Sequence, residues 1–287
     1  MTLNIRTNLA SLQAQRNLYN ATEGLSTTYA RLSSGLRINR AKDDAAGLAI
    51  AESLKADQRL ASVAIRNAND GISIIAITDA AIDQISKILT RLAELAEQSA
   101  NGVYDNVQRS ALQREFTELM SEIERIALTT EFNGLKLLSG GGIVTLQVGL
   151  DGSSLSQITY SGIQATLQAL NLAQSGSSAH IYSISAATNE QSQVAARSAL
   201  DALRAAIASC NRQRGTLGSA ESRLEAAIRN LQASRESFAK AESAIRDADV
   251  AAEAAELARL TILQQAATAV LAQANQQPAL ALQLLRG

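Results

Sequence analysis

Apolar residues recur at intervals of seven over most of the chain. Near the start, Ile5, Leu12 and Tyr19 form one row and Leu18, Leu25 and Leu32 form another, with polar residues between them. That spacing predicts an amphipathic coiled-coil helix. Ser33-Ser34-Gly35 supplies its stop. Asp43-Asp44 then opens a longer helix, because acidic side chains suit the positive end of a helix dipole. The stripe Ile75, Ile82, Ile85, Leu89, Leu92 and Leu95 carries that helix to Asn101-Gly102. A third helix, from about 105 to 129, presents Leu112, Phe116, Leu119, Ile123 and Ile126 on one side.

The period changes between about 131 and 185. Asn133-Gly134 is a turn signal and Gly140-Gly141-Gly142 a flexible joint. Two short apolar–polar runs flank Asp151-Gly152, which predicts a β-hairpin over about 143–160. Thr166 to Leu172 has the length of a short helix, and the Ser/Gly stretch 175–178 reads as a loop.

Seven-residue spacing returns most strongly in Leu203, Cys210, Leu217, Leu224, Leu231, Phe238 and Ile245, seven successive positions of one row. A companion row holds Leu200, Ile207 and Ile228, interrupted by charged residues. Cys210 in a row of leucines is predicted to be a small core residue. Beyond Asp247-Ala248-Asp249 the chain is alanine-dense, with a narrow stripe of Leu260, Leu263, Ala267, Val270 and Ala274 and an apolar end at Leu280, Leu282, Leu284 and Leu285. Pro278 is expected beyond the last long helix. The predicted fold is therefore mainly α: long antiparallel helices in coiled-coil bundles, with a small β-hairpin region in the middle.

Composition then removes function classes. The chain has one His, one Cys and no Trp, so neither a His/Cys metal site nor an internal disulfide can be assembled. Any Ser-His-Asp triad would have to run through His180 alone, which points away from an enzyme. The 26 Lys+Arg against 27 Asp+Glu leave no basic excess for nucleic acid. No cofactor is expected. The first residues lack the apolar core of a cleaved signal peptide, and no run approaches a membrane span.

The two ends, 1–41 and 247–287, each propose one amphipathic helix. A lone pair of such helices buries too little apolar surface to offset its ordering entropy. The ends are therefore expected to order only when many copies pack together, which predicts a self-assembling subunit.

Several blocks resemble bacterial flagellins: Arg31-Leu32-Ser33-Ser34-Gly35-Leu36-Arg37-Ile38-Asn39 and Asp43-Asp44-Ala45-Ala46-Gly47-Leu48-Ala49-Ile50; Arg91-Leu92-Ala93-Glu94-Leu95-Ala96; and Glu131-Phe132-Asn133-Gly134-Leu135-Lys136-Leu137-Leu138. At the far end, Ser243-Ala244-Ile245-Arg246-Asp247-Ala248-Asp249 and the run from Ile262 to Leu285-Arg286 are similar to the same family. The matches lie in order and span nearly the whole chain.

The resemblance implies a subunit that self-assembles into the flagellar filament, the propeller of swimming bacteria. It implies an inner core domain, 1–41 with 247–287, lining the filament channel, and an outer core domain, 42–246. No large variable outer domain is expected, because few residues separate the hairpin from the C-terminal helix. Coiled-coil and polymerisation positions would be Ile5, Leu12, Leu18, Leu25, Leu32, Leu260, Leu263, Val270, Leu284 and Leu285. Implied partners are other copies of the chain, an export apparatus and chaperone, a filament cap and hook-associated junction proteins. Export without a cleaved signal to an extracellular filament is also implied. The family's innate-receptor-facing positions in vertebrate hosts correspond here to Arg91, Leu95 and Glu115, with Thr90 where the family usually has Gln. Arg91 and Leu95, one turn apart, are expected on one face. A hook–filament junction protein and a helical scaffolding module are the alternatives.

Overall fold

A computed structural model describes residues 7–140, 142–174 and 180–286, with side chains described as far as Gln276. The elements are α1 (Leu9–Ser34), α2 (Ala45–Ala100), α3 (Asn106–Thr129), β1 (Glu131–Phe132), β2 (Leu135–Lys136), β3 (Ile143–Gln147), β4 (Gln157–Ser161), α4 (Asn189–Arg246) and α5 (Val250–Arg286). The fold is mainly α with small antiparallel strand pairs in mid-chain. The chain divides into two compact units, residues 1–58 with 236–287 and residues 59–235.

Side-chain chemistry sets the helix ends. Gly35 ends α1 in the left-handed conformation at φ 71°, which glycine adopts without steric cost. The two adjacent acids divide the next junction between them. The Asp43 carboxylate accepts from the Asn39 and Arg40 amides, and Asp44 accepts from the Gly47 amide, capping α2. Asp105 and Gln108 close a reciprocal capping box on α3.

In residues 59–235, α2 contributes Ile75, Ile82, Ile85, Leu89, Leu92 and Leu95 to the core, α3 contributes Phe116, Met120 and Ile123, and α4 contributes Leu203, Cys210, Leu217 and Leu224. The α4 row stands as predicted, but its companion row does not. Leu200, Ile207 and Ile228 are only half-buried, whereas Ala199, Ala206 and Ala220 are buried. Large residues alternate with alanine across the seam, and alanine lets the helices approach closely. Burial of Cys210 pushes its thiol up to about 11. An ion-pair clamp ties the same helices: Arg214 donates to both oxygens of Asp79, at 2.8 and 3.2 Å, and to Asp83 at 3.1 Å.

β1 and β2 turn at Asn133-Gly134, both with positive φ, the arrangement of a two-residue hairpin turn. β3 and β4 pair antiparallel, with Val144 opposite Tyr160 and Leu146 opposite Ile158. This hairpin reverses through residues 148–156 rather than in a two-residue turn at Asp151-Gly152. The Asp151 carboxylate accepts from the Ser153 hydroxyl at 2.9 Å and from the Ser156 hydroxyl, holding a longer loop. The helix expected over Thr166–Leu172 is instead a turn. Asn171 is left-handed at φ 59°, and Leu167, Leu170 and Leu172 are all buried. On a helix Leu167 and Leu170 would share a face but Leu172 would fall about 140° away, so a helix would not bury all three against one core. The 175–178 loop and Gly141 lie outside the described residues.

In the other unit, α1 and α5 run antiparallel. Their seam repeats every seven residues, through Ser11, Leu18, Leu25 and Leu32 and through Ala14, Ala21 and Thr28 on α1. Leu260 and Ala274 are buried seam positions on α5. A Cβ on Gly24 would stand 3.2 Å from both Leu260 methyls, so glycine makes the pocket for that side chain. Within one chain the two described helices, α1 over Leu9–Ser34 and α5 over Val250–Arg286, lie paired. The small-residue seam brings the backbones close enough for polar bonds to add to the packing.

α5 also continues through Pro278, expected to lie past its end. A proline has no N–H to give to the carbonyl four residues earlier, here that of Ala274. The Asn8 side-chain amide donates to the Ala274 carbonyl at 2.8 Å, while its Oδ1 accepts from the Ser11 amide and caps α1. One residue therefore starts α1 and satisfies the carbonyl that Pro278 leaves free. Asn8→Ala is expected to destabilise this helix pair by about 2–3 kcal/mol, a lost cap plus an unsatisfied carbonyl. Restoring the N–H with Pro278→Ala in the Asn8→Ala chain should recover part of that loss, read by thermal unfolding of helix circular dichroism.

Candidate polymerisation faces

The residues predicted for coiled-coil contact separate into two groups. Leu18, Leu25, Leu32 and Leu260 lie on the α1–α5 seam, with Leu25 and Leu260 buried and Leu18 and Leu32 half-buried. Leu12, Leu263 and Val270 instead point outward. Leu12 is 53% exposed and Val270 58%. They are joined by Tyr19 at 68% and Ile262 at 65%. The two rows read along the N-terminal sequence thus have different fates. The Leu18 row closes the pair, and the Leu12–Tyr19 row faces solvent. The side chains of Ile5, Leu284 and Leu285 lie outside the described residues.

Polar contacts set the register of the pair. The Ser11 hydroxyl donates to Asn275 Oδ1 at 2.7 Å, and Arg31 meets Glu253 at 3.0 Å. At the closed end the segments after α1 and before α5 form a short backbone ladder. The Arg37 amide donates to the Arg246 carbonyl at 2.7 Å, and the Ala248 amide to Gly35 at 2.9 Å. Ile38 is buried beside it. Arg246 continues the tie by donating to Glu52 at 2.8 Å. The blocks that carried the resemblance are therefore the ones that shape this joint.

Arg91 and Glu115 do come together across α2 and α3. Arg91 Nε donates to Glu115 at 2.9 Å, and Nη1 donates to Glu94 at 3.0 Å. Glu94 first, and then Glu115, hold the guanidinium above its ordinary value. Leu95, one turn further along the same side of α2, is not exposed with them. It is fully buried in the helix core, because it occupies the apolar stripe of α2 while Arg91 lies toward its edge. The exposed element of this trio is the ion pair alone.

One residue was missed by sequence reasoning. Arg109, in the first turn of α3, is fully buried, and no carboxylate among the described residues pairs with it. Its guanidinium donates to the Asn101 carbonyl at 2.8 Å and to the Asn189 carbonyl at 3.1 Å, and it also meets Asn189 Oδ1 at 2.5 Å. It thereby ties the end of α2 and the start of α4 to α3. An arginine between polar neighbours carries no periodic signal, so its burial was not legible in the sequence. Among the described residues, no three His, Cys, Asp or Glu side chains converge as for a metal, and no helix is long and apolar enough to cross a membrane.

Residues 5–142 match the bacterial flagellin N-terminal helical region, and residues 200–285 match the bacterial flagellin C-terminal helical region. A flagellin of Halalkalibacterium halodurans is 43% identical over 284 residues, 98% of this chain and 99% of that protein. A flagellin of Bacillus subtilis is 37% identical, covering 99% of this chain and all of that one. The crystal structure of Bacillus cereus flagellin is 27% identical and superposes with a TM-score of 0.47 over 58% of this chain and 88% of that one. With two terminal helical regions in register with full-length flagellins, and outward apolar rows on the helices those regions form, the chain belongs to the bacterial flagellin family.

Proposed function

We propose that the subunit polymerises by burying the outward apolar rows of α1 and α5 against other copies of itself. As a flagellin the chain is a filament subunit serving flagellar motility, and the filament is extracellular. The observation that carries the reading is the exposure of Leu12, Tyr19, Ile262, Leu263 and Val270 on a helix pair whose seam is already closed. So much apolar surface in water calls for a partner. Residues 1–41 and 247–287 then form the inner layer around the channel, with Ile5, Leu284 and Leu285 adding to it, and residues 42–246 form the outer layer. The role is structural, with no catalysis and no cofactor. Passage through the export apparatus with a chaperone, without a cleaved signal, and contact with the filament cap and hook-associated junction proteins complete the reading. The Arg91–Glu115 pair is the surface offered to a vertebrate innate receptor, with Leu95 supporting it from beneath.

The test is growth of purified subunit on filament seeds, followed by electron microscopy. The wild-type chain should give long tubular filaments. Leu12→Gln with Val270→Gln removes about 3 kcal/mol of burial per subunit, a roughly hundredfold rise in critical concentration. Helix content of the monomer should stay unchanged, because neither side chain is in the seam. Growth of this variant at wild-type concentration would overturn the proposal.

A further inference from the structure

Among the described residues the buried Arg109 guanidinium donates to amide oxygens alone, and one of them belongs to an Asn-Gly pair. The chain has two such pairs, Asn101-Gly102 and Asn133-Gly134. In an Asn-Gly pair the glycine nitrogen can attack the asparagine side-chain carbonyl, because glycine has no side chain to obstruct the approach. The two pairs differ in how the backbone presents that nitrogen. Asn133 is left-handed at φ 50° in the β1–β2 turn. With the ψ of that conformation the Gly134 nitrogen lies anti to the Asn133 side chain across the Cα–C bond, out of reach of its carbonyl.

Asn101 follows the last turn of α2 without a positive φ. Its Oδ1 accepts from the Val103 amide at 3.1 Å, an Asx-turn that folds the side chain over the Gly102 peptide. Asn101 Cγ and the Gly102 nitrogen are thus members of one hydrogen-bonded ring. Both residues are exposed, and the Gly102 amide makes no hydrogen bond among the described residues. Asn101 also lines an open groove with Glu97, Tyr104 and Arg197, through which water reaches it. Two donors complete the arrangement. Attack requires Gly102 to lose its amide proton, and the resulting charge is delocalised onto the Asn101 carbonyl oxygen. Arg109 Nη2 already donates to that oxygen at 2.8 Å. The Val103 amide holds Oδ1, where charge develops as Cγ becomes tetrahedral.

We infer that Asn101 is a self-modification site, converting to isoaspartate under the direction of Arg109. The Gly102 nitrogen gives its proton to solvent and bonds to Asn101 Cγ. The Cγ–Nδ2 bond breaks, and the side-chain nitrogen takes a proton from solvent and leaves as ammonia. A five-membered imide remains, and it adds one water. Arg109 polarises the α-carbonyl, so the water oxygen adds there, the bond from that carbon to the Gly102 nitrogen breaks, and the nitrogen regains a proton. The main chain then runs through Cβ and Cγ, and the freed α-carboxylate stands where Arg109 already donates. A buried cation with amide partners alone gains a charged one, the stronger kind of acceptor. The net reaction consumes one water, releases one ammonia and takes the chain from a net charge of −1 to −2.

The test is incubation of the folded full-length chain in neutral buffer. Proteolytic peptides are weighed for the deamidated mass, and isoaspartate is detected by enzymatic methyl transfer from S-adenosylmethionine. Isoaspartate at 101 should accumulate about tenfold faster than at 133, the order of one hydrogen bond made in the transition state. In urea, where both pairs leave their folded backbones, the two rates should converge. Val103→Pro removes one donor at an exposed loop residue and should slow conversion at 101 by about the same factor. Arg109→Ala, incubated below its melting transition, should slow it too and move the product from isoaspartate toward aspartate. Equal rates at 101 and 133 in the folded chain, aspartate as the main product at 101, or an unchanged rate in either variant would each overturn the inference.

Discussion

A chain ending at Asp249, without α5, is expected to form no filaments on seeds at any concentration the monomer tolerates. It loses the whole partner of α1: Leu260 leaves its pocket over Gly24, Arg31 loses Glu253, and Asn8 loses the Ala274 carbonyl. Ala14, Ala21, Leu25 and Thr28 are then exposed. A single helix of this composition is marginal in water, because most helix stability in proteins comes from packing an amphipathic face. The circular-dichroism signal should therefore fall by more than the deleted residues explain. Among the described residues the core of residues 59–235 is built from α2, α3, α4 and the strand region, so a cooperative melting transition should survive. Filaments grown from the truncated chain, or loss of that transition, would contradict this account.

Arg109→Ala is expected to destabilise residues 59–235 by about 3–5 kcal/mol. Hydrogen bonds to a charged donor contribute about 1.5–3 kcal/mol each, and here three oxygens lose their donor at once. The side chain also fills space at the junction of three helices, so its removal leaves a cavity. A buried cation without a carboxylate would normally be unfavourable. In this setting the partner is the carbonyl end of α2, where the helix dipole favours positive charge. Arg109→Lys keeps the charge but lacks the fork that reaches Asn101 and Asn189 together, so it should recover only part of the loss. Urea unfolding followed by circular dichroism measures both. A shift below about 1 kcal/mol for the alanine variant would show that the junction does not depend on these bonds.

Much of this structure was legible because coiled coils write their packing into the chain at a fixed period. The Leu203–Leu231 row, the α2 stripe, the stop at Gly35 and the acidic cap at Asp44 follow from local rules, and each is found in place. Errors occurred where a small residue replaced a large one. The second seam row of α4 is alanine, which hydrophobic counting passes over in favour of Leu200, Ile207 and Ile228. Leu95 is a related case: one helical turn from exposed Arg91 it is buried, because spacing places residues on a helix but does not say how far round the core extends.

Periodicity, caps and extended motif blocks were enough for the long helices, the stop at Gly35, the hairpin region and the kind of protein, because each depends on local spacing. Which face each row serves follows from the packing of distant segments. Leu12 and Leu25 look alike as heptad leucines, yet one faces solvent and the other closes the seam, since that choice depends on where a helix more than two hundred residues away comes to lie. Pro278 is the sharpest instance. Its local chemistry marks a helix end, but a side chain from the opposite terminus satisfies the carbonyl it leaves free, and the helix continues.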